Sequence, residues 1–241
     1  MIIDVASPNY DFRPSKSKIL FVVIHYTGMI DSESAIERLR DSKSKVSAHW
    51  LIDESGSIFK LVDECCRAWH AGISEWKGYK NINSYSIGIE LVNPGHDLGY
   101  TKFKELQMQS LESLIKNITL KYGLHPNSVI GHSDIAPDRK KDPGELFDWP
   151  RLAKLGLAFC PKTSINKHKE SYFNSNDSQE IKRMQSELKY IGYAVKVDGV
   201  LGNKTNLVLT AFRRRFLTHD FKSMKYDNLR ARIKEVFIAS S

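Results

Sequence analysis

The chain holds eight histidines and 28 acidic residues, so chance pairs are many and position must filter them. His25 closes an apolar run in Val23-Ile-His-Tyr-Thr-Gly28. His132 follows a short apolar segment and opens the loop Gly131-His-Ser-Asp-Ile-Ala-Pro-Asp-Arg-Lys-Lys-Asp-Pro-Gly144, in which Asp142 lies ten residues further on. Strand ends in an α/β sheet project side chains into a common crevice. Two imidazoles and a carboxylate brought together there would leave a zinc ion an open fourth position for water, the arrangement of a hydrolytic site. No local signature such as His-Glu-x-x-His accompanies them, and the same residues also read as hydrogen-bonded structural histidines. Glu90 interrupts the apolar run Ile87-Gly-Ile-Glu-Leu-Val92. An ionised acid there is costly unless it is paired or faces a cation. It reads either as half of an ion pair or as a general base tuned by burial and a nearby metal. Lys140 stands two residues before Asp142, close enough in sequence to reach the same substrate oxygen; Arg139 and Lys141 beside it leave a plain basic loop as the alternative.

The elements that must position these residues alternate between strand and helix patterns up to about residue 157. Ile19–Ile24 reads as a buried central strand and Ser32–Arg40 as a helix with Ala35, Ile36 and Leu39 on one face. Ala48–Asp53 and Ser57–Val62 read as a hairpin around Gly56, and Tyr85–Val92 as a second buried strand. A helix is predicted over Phe103–Tyr122, with Leu111, Leu114, Ile115 and Ile118 at helical spacing and Gly123 as its stop. Ser128–Gly131 is a short strand. The fold class is therefore α/β, a mixed central sheet flanked by helices. Residues 158–176 are polar and aperiodic and read as a linker. Beyond them Ile181, Met184, Leu188 and Ile191, then Leu209, Phe212 and Phe216, then Leu229, Ile233, Val236 and Phe237, predict three amphipathic helices. The expected domains are thus 1–157, a linker at 158–176, and a small all-α unit at 177–241.

Residues 18–157 resemble the zinc-dependent N-acetylmuramoyl-L-alanine amidases of the AmpD/AmiD type, a family related to the peptidoglycan recognition proteins. The likeness is carried by Val-Val-Ile-His25-Tyr-Thr-Gly, Val46-Ser-Ala-His-Trp-Leu-Ile-Asp53, Ala68-Trp-His-Ala-Gly72, Asn83-x-x-Ser-Ile-Gly-Ile-Glu90-Leu and Gly131-His-Ser-Asp-Ile-Ala-Pro-x-Arg-Lys140-x-Asp-Pro-Gly144. The resemblance implies an amidase fold, one zinc per chain on His25, His132 and Asp142, and Glu90 and Lys140 as catalytic residues. It implies hydrolysis of the amide between N-acetylmuramic acid and the L-alanine of the stem peptide, with peptidoglycan or a muropeptide as partner. A non-catalytic peptidoglycan recognition protein and a zinc peptidase cutting within the stem peptide are the alternatives. Trp69, His70 and Asn83 are candidate groove residues, and His49 reads as structural. The tail resembles a three-helix peptidoglycan-binding module through Met184-Gln-x-x-Leu188-x-x-Ile191-Gly-Tyr193 and Val197-Asp-Gly-Val-Leu-Gly202-Asn-Lys-Thr205. It departs from that pattern where Phe212 is followed by Arg213.

The 36 basic residues leave a net charge of +8, which suits an anionic partner. The surplus is uneven: residues 175–241 hold 13 Lys and Arg against 7 Asp and Glu, the rest 23 against 21. Arg213-Arg214-Arg215 supplies three of those charges and reads either as a solvated helix face or as part of a surface for anionic wall polymer. No nucleic-acid motif accompanies the charge. The longest apolar run has six residues, too short to span a bilayer, and no signal peptide is visible. The expected location is the envelope or outside if an export segment precedes the chain, and the cytoplasm if Met1 is the native start. The sequence leaves the oligomeric state open.

Overall fold

The structure is a computed structural model and describes residues 2–162, 173–218 and 226–240. In chain order the elements are β1 (Ile2–Asp4), β2 (Tyr10–Phe12), β3 (Phe21–Tyr26), α1 (Ser32–Arg40), β4 (Trp50–Ile52), β5 (Ile58–Lys60), β6 (Cys66–Ala68), β7 (Glu75–Trp76), β8 (Tyr79–Lys80), β9 (Ser86–Leu91), α2 (Gly95–Leu98), α3 (Glu105–Tyr122), β10 (Val129–Gly131), α4 (His132–Ile135), α5 (Trp149–Lys154), α6 (Ser178–Ile191), α7 (Asn203–Phe216) and α8 (Tyr226–Ser240). Six strands make one mixed sheet in the order β1-β5-β4-β9-β3-β10. β4 and β5 form the antiparallel hairpin that the Gly56 turn predicts, while β4, β9, β3 and β10 run parallel. The edge strand β1, the short pairs β2–β6 and β7–β8, and the helices α2 and α5 lie in stretches where the sequence shows no clear period.

Strand alternation sends the apolar run of β3 to both faces of the sheet. Val22 and Ile24 meet α3, whose Met108, Leu111, Leu114, Ile115 and Ile118 form one core with Phe147 and Trp149. Gln107, fully buried in α3, donates from Nε2 to the carbonyls of Ile52 and Val92 at 3.0 Å each, tying the helix to the ends of β4 and β9. Gly123 ends α3 in the left-handed region at φ +63°, which a β-carbon would disfavour.

Phe21, Val23 and Ile130 on the opposite face join a different core, together with Ile181, Met184, Leu188, Val208, Leu209, Phe212, Ile233 and Val236 of the three C-terminal helices. The predicted helices form with their predicted buried faces, and they pack directly on the sheet. The expected linker at 158–176 falls in part on residues 163–172, outside the described residues. Burial removes the solvated-face reading of the arginine run: Arg213 and Arg215 are buried and Arg214 is only 14% exposed. It equally removes these three charges from any surface offered to wall polymer. Among the described residues no helix is long and apolar enough to cross a membrane.

The C-terminal unit has its own polar organiser. Buried Gln185 of α6 accepts at Oε1 from the amides of Asp198 and Gly199 and donates from Nε2 to Asp198, Thr205 and the Val200 carbonyl. One side chain thereby shapes the turn that starts α7. Gln185→Ala should cost about 1–3 kcal/mol by stranding those groups, read as a lower urea midpoint at unchanged slope.

Candidate active site

Three parallel strands side by side, β9, β3 and β10, deliver three candidate residues to one end of the sheet. His25 lies opposite Glu90 in the β3–β9 register, and His132 follows β10 directly, where Gly131 pairs with Ile24. His25 is thus part of the strand, which runs two residues further than its apolar stretch. Asp142 arrives from the loop after α4. The Ser133 amide donates to the Asp142 carbonyl at 2.8 Å and closes that loop at its neck, setting His132 and Asp142 side by side. The Nδ1 atoms of His25 and His132 are 2.9 Å apart, and Asp142 Oδ2 lies 3.0 and 2.9 Å from them. All three residues are buried.

The surrounding hydrogen bonds fix which ring nitrogens carry protons. Ser86 Oγ donates to the Ile82 carbonyl at 2.7 Å, so it accepts from His70 Nε2 at 3.2 Å. That leaves His70 Nδ1 bare to accept from His25 Nε2 at 3.0 Å, and it leaves His25 Nδ1 bare in turn. His132 Nε2 faces the Ala71 carbonyl at 3.1 Å, an acceptor only, and so it donates there. In the tautomers that these partners select, two lone-pair nitrogens and a carboxylate oxygen converge. Such a donor set fits a dication of the zinc type, and each imidazole already has the outer partner that metal-ligating histidines use. Burial and the neighbouring His132 hold His25 down at about 4, so its ring is neutral near pH 7. Burial alone would raise the Asp142 carboxyl, but the charge and hydrogen bonds that His132 and His25 offer it when protonated outweigh burial and hold it below the usual carboxylate range.

Glu90 and Lys140 line the same cleft, about 310 Å³ in volume, together with Trp69, His70, His132 and Asp142. Glu90 Oε2 is sealed from solvent and has no hydrogen-bond partner. Burial, reinforced by the Asp142 charge and opposed by Lys140, lifts its carboxyl from an ordinary 4.5 to about 8. Lys140 forms no ion pair among the described residues, which leaves its ammonium available to the cleft.

The remaining candidates divide. Trp69 lines the cleft. His70 does so too, but its ring also orients His25. Asn83 does not line this cleft: its Oδ1 accepts from the amides of His70 and Ala71 at 3.1 and 2.7 Å and holds the segment that carries both outer partners. His49 is fully buried, its Nδ1 accepting from the Gly88 amide at 2.9 Å, as expected of a structural residue. Ser86, Gly88 and the Ala71 carbonyl were not anticipated as parts of the site. Gly88 is required by space, since a β-carbon there would lie 2.4 Å from the His70 ring. The signal was present: Ser86, Gly88 and Glu90 alternate along an otherwise apolar strand and so share one face.

A mixed parallel-centred sheet thus brings a buried His-His-Asp donor set and a raised carboxyl into one cleft, the groups a metal-dependent hydrolase would need. Residues 15–145 match the family model of N-acetylmuramoyl-L-alanine amidases. The chain is 40% identical over 156 residues to the N-acetylmuramoyl-L-alanine amidase AmiD of Escherichia coli, covering 60% of this chain and 55% of that protein. It is 36% identical over 184 residues to the 1,6-anhydro-N-acetylmuramyl-L-alanine amidase AmpD of Salmonella typhimurium, covering 69% of this chain and 92% of that protein. The solved complex of E. coli AmiD with the substrate anhydro-N-acetylmuramic acid-L-Ala-D-γ-Glu-L-Lys superposes with a TM-score of 0.80 at 30% identity, covering 94% of this chain and 92% of that chain. The chain belongs to the N-acetylmuramoyl-L-alanine amidase family, hydrolases of the amide between N-acetylmuramic acid and L-alanine.

The raised Glu90 carboxyl has a consequence for stability. Between pH 4.5 and 8 the folded protein keeps a proton that the unfolded chain has lost, so this residue's contribution falls as pH rises and levels off above pH 8. The slope is up to about 1.4 kcal/mol per pH unit. Chelator-treated Glu90→Gln should therefore be more stable than chelator-treated wild type at pH 8.5, and the two should converge near pH 4.5, as measured by urea unfolding.

Proposed function

We propose that the chain cleaves the amide between the lactyl group of N-acetylmuramic acid and the L-alanine of a muropeptide, with one zinc held by His25, His132 and Asp142. The observation that carries this reading is the meeting of two bare imidazole nitrogens and a carboxylate beside a carboxyl lifted to about 8. Zinc bound there supplies Lewis acidity toward a water molecule and the scissile carbonyl. Glu90, poised near neutrality, takes a proton from the attacking water and returns it to the departing L-alanine nitrogen. Lys140 stabilises the negative charge that develops on the carbonyl oxygen. His70 and the Ala71 carbonyl keep both imidazoles in the tautomers that leave Nδ1 free, and Asn83 holds the backbone of that support. Trp69 supplies an apolar wall for substrate. The anhydro-N-acetylmuramic acid peptide bound by E. coli AmiD supports a soluble muropeptide as the first compound to test.

Chelation should abolish release of the stem peptide from such a muropeptide, and zinc should restore it. Glu90→Ala should lose at least about 10²-fold in kcat while retaining one zinc by metal analysis. Mass spectrometry must show a product with an intact L-alanine amino terminus. Cleavage inside the stem peptide would replace the amidase reading with a peptidase, and tight zinc-independent binding without turnover would replace it with a recognition protein.

The C-terminal unit carries a second part of the proposal, attachment to anionic wall polymer. With Arg213, Arg214 and Arg215 turned inward, the support left for this reading is the exposed set Arg183, Lys189, Lys196, Lys204 and Lys234. Co-sedimentation with purified sacculi at low salt should drop several-fold in a Lys189→Glu/Lys204→Glu variant; unchanged sedimentation would remove the unit from wall binding.

A further inference from the structure

The loop from His132 to Asp142 carries three of the five candidate active-site residues, and the C-terminal unit grips it at both ends. Asp134, two residues after His132 and only 1% exposed, divides its carboxylate among three partners. Oδ2 accepts from the Gly131 amide at 2.8 Å and from Arg215 Nη1 at 2.7 Å, and Oδ1 accepts from the Tyr193 hydroxyl at 2.7 Å. Two of the three come from the C-terminal unit. Arg215 goes on to donate from Nη2 to the carbonyls of Val129 in β10 and Phe159, and its guanidinium lies 4.5 Å from the Trp149 ring. At the far end of the loop, Arg214 Nε lies 3.7 Å from Glu145, three residues after Asp142. Glu145 also faces His96 Nε2 at 3.0 Å, and His96 Nδ1 faces the hydroxyl of Tyr26, the residue after His25 and part of the cleft wall.

We propose that Arg215 and Tyr193 are positioning residues of the active site: through Asp134 they set the start of the His132–Asp142 loop, so the C-terminal helices complete the zinc site rather than serving only as an appendage. A buried ion pair between an arginine and a carboxylate contributes little net stability, yet breaking it leaves an uncompensated charge. Here that stranded charge would be Asp134, on the one-turn helix that holds His132. The loop would relax where the ligand geometry has least tolerance. The same helix turn that anchors the start through Arg215 approaches the end through Arg214, so one rigid element spans both ends.

This inference rests on the zinc reading, and the test separates the two. Full-length wild type, Arg215→Met, Arg215→Lys and Tyr193→Phe are compared for zinc dissociation constant by chelator competition, and for kcat and KM on a soluble muropeptide. Outer partners of metal sites are typically worth 10–100-fold in metal affinity. Arg215→Met should weaken zinc about tenfold and lower kcat with KM little changed, and Arg215→Lys should recover part of both. Tyr193→Phe keeps the ring and should weaken zinc by a smaller factor, about threefold; it decides the matter if Arg215→Met fails to fold by circular dichroism. Wild-type zinc affinity in folded Arg215→Met, or in Tyr193→Phe where the former does not fold, overturns the positioning role. A wild type that takes up no zinc overturns the metal reading instead.

Discussion

The arrangement of this molecule turns on three electron-rich atoms held close together. The Nδ1 atoms of His25 and His132 and Oδ2 of Asp142 sit within 3.0 Å of one another in a buried setting. Without a cation that grouping is unfavourable, so the surrounding structure has to impose it. The imposition is a chain of ordinary hydrogen bonds: the Ile82 carbonyl fixes the Ser86 hydroxyl, which fixes His70, which fixes His25. A separate bond from His132 to the Ala71 carbonyl does the same for the second ring. Asn83, holding the amides of residues 70 and 71, keeps both supports on one rigid segment. The site is therefore specified largely by residues outside the His-His-Asp cluster itself.

Glu90 faces an opposing set of forces. Its neighbours are Asp142, which discourages a second negative charge, and Lys140, which encourages it, while burial favours the neutral acid. The balance places the carboxyl close to neutral pH, which suits the proton-transfer role proposed for it. A dication bound beside it would draw the balance toward the carboxylate. Its Oε2, buried without a hydrogen-bond partner, is open to a water molecule.

Much of this was legible in the sequence, for identifiable reasons. Apolar runs of β-branched residues marked β3 and β9, the 3-and-4 spacing marked α3 and the three C-terminal helices, and Glu90 stood out because an acid breaks a buried strand. What stayed hidden has a common cause. The edge strand β1 and the two-stranded pairs β2–β6 and β7–β8 are two or three residues long and mostly exposed, so they carry no period to read. The outer support of the histidines passes through backbone carbonyls, which no side-chain pattern reports. The family resemblance put Asn83 in the groove; its side chain instead holds the backbone amides of His70 and Ala71. The arginine run was misread for a related reason: three consecutive charges on a helix usually face water. Here the helix end is sandwiched against the sheet domain, and the charges meet buried carboxylate, carbonyl and aromatic partners.

That burial changes what the basic surplus means. A charge count treats every arginine in the tail as a contribution to the outer field, yet Arg213 and Arg215 are inside, Arg214 is mostly covered, and Arg232 is buried with donors on the carbonyls of Phe216 and Pro161. These guanidiniums act at short range, on carbonyls and on the carboxylates of Asp134, Glu145 and Glu235, and much less as a long-range attraction for polymer. The C-terminal helices also share their core with Phe21, Val23 and Ile130 of the sheet. Removing them would expose the underside of the strands that carry His25 and lead into His132. A tethered wall anchor would be separable from catalysis; a unit that shares the core of β3 and β10 and neutralises Asp134 is not.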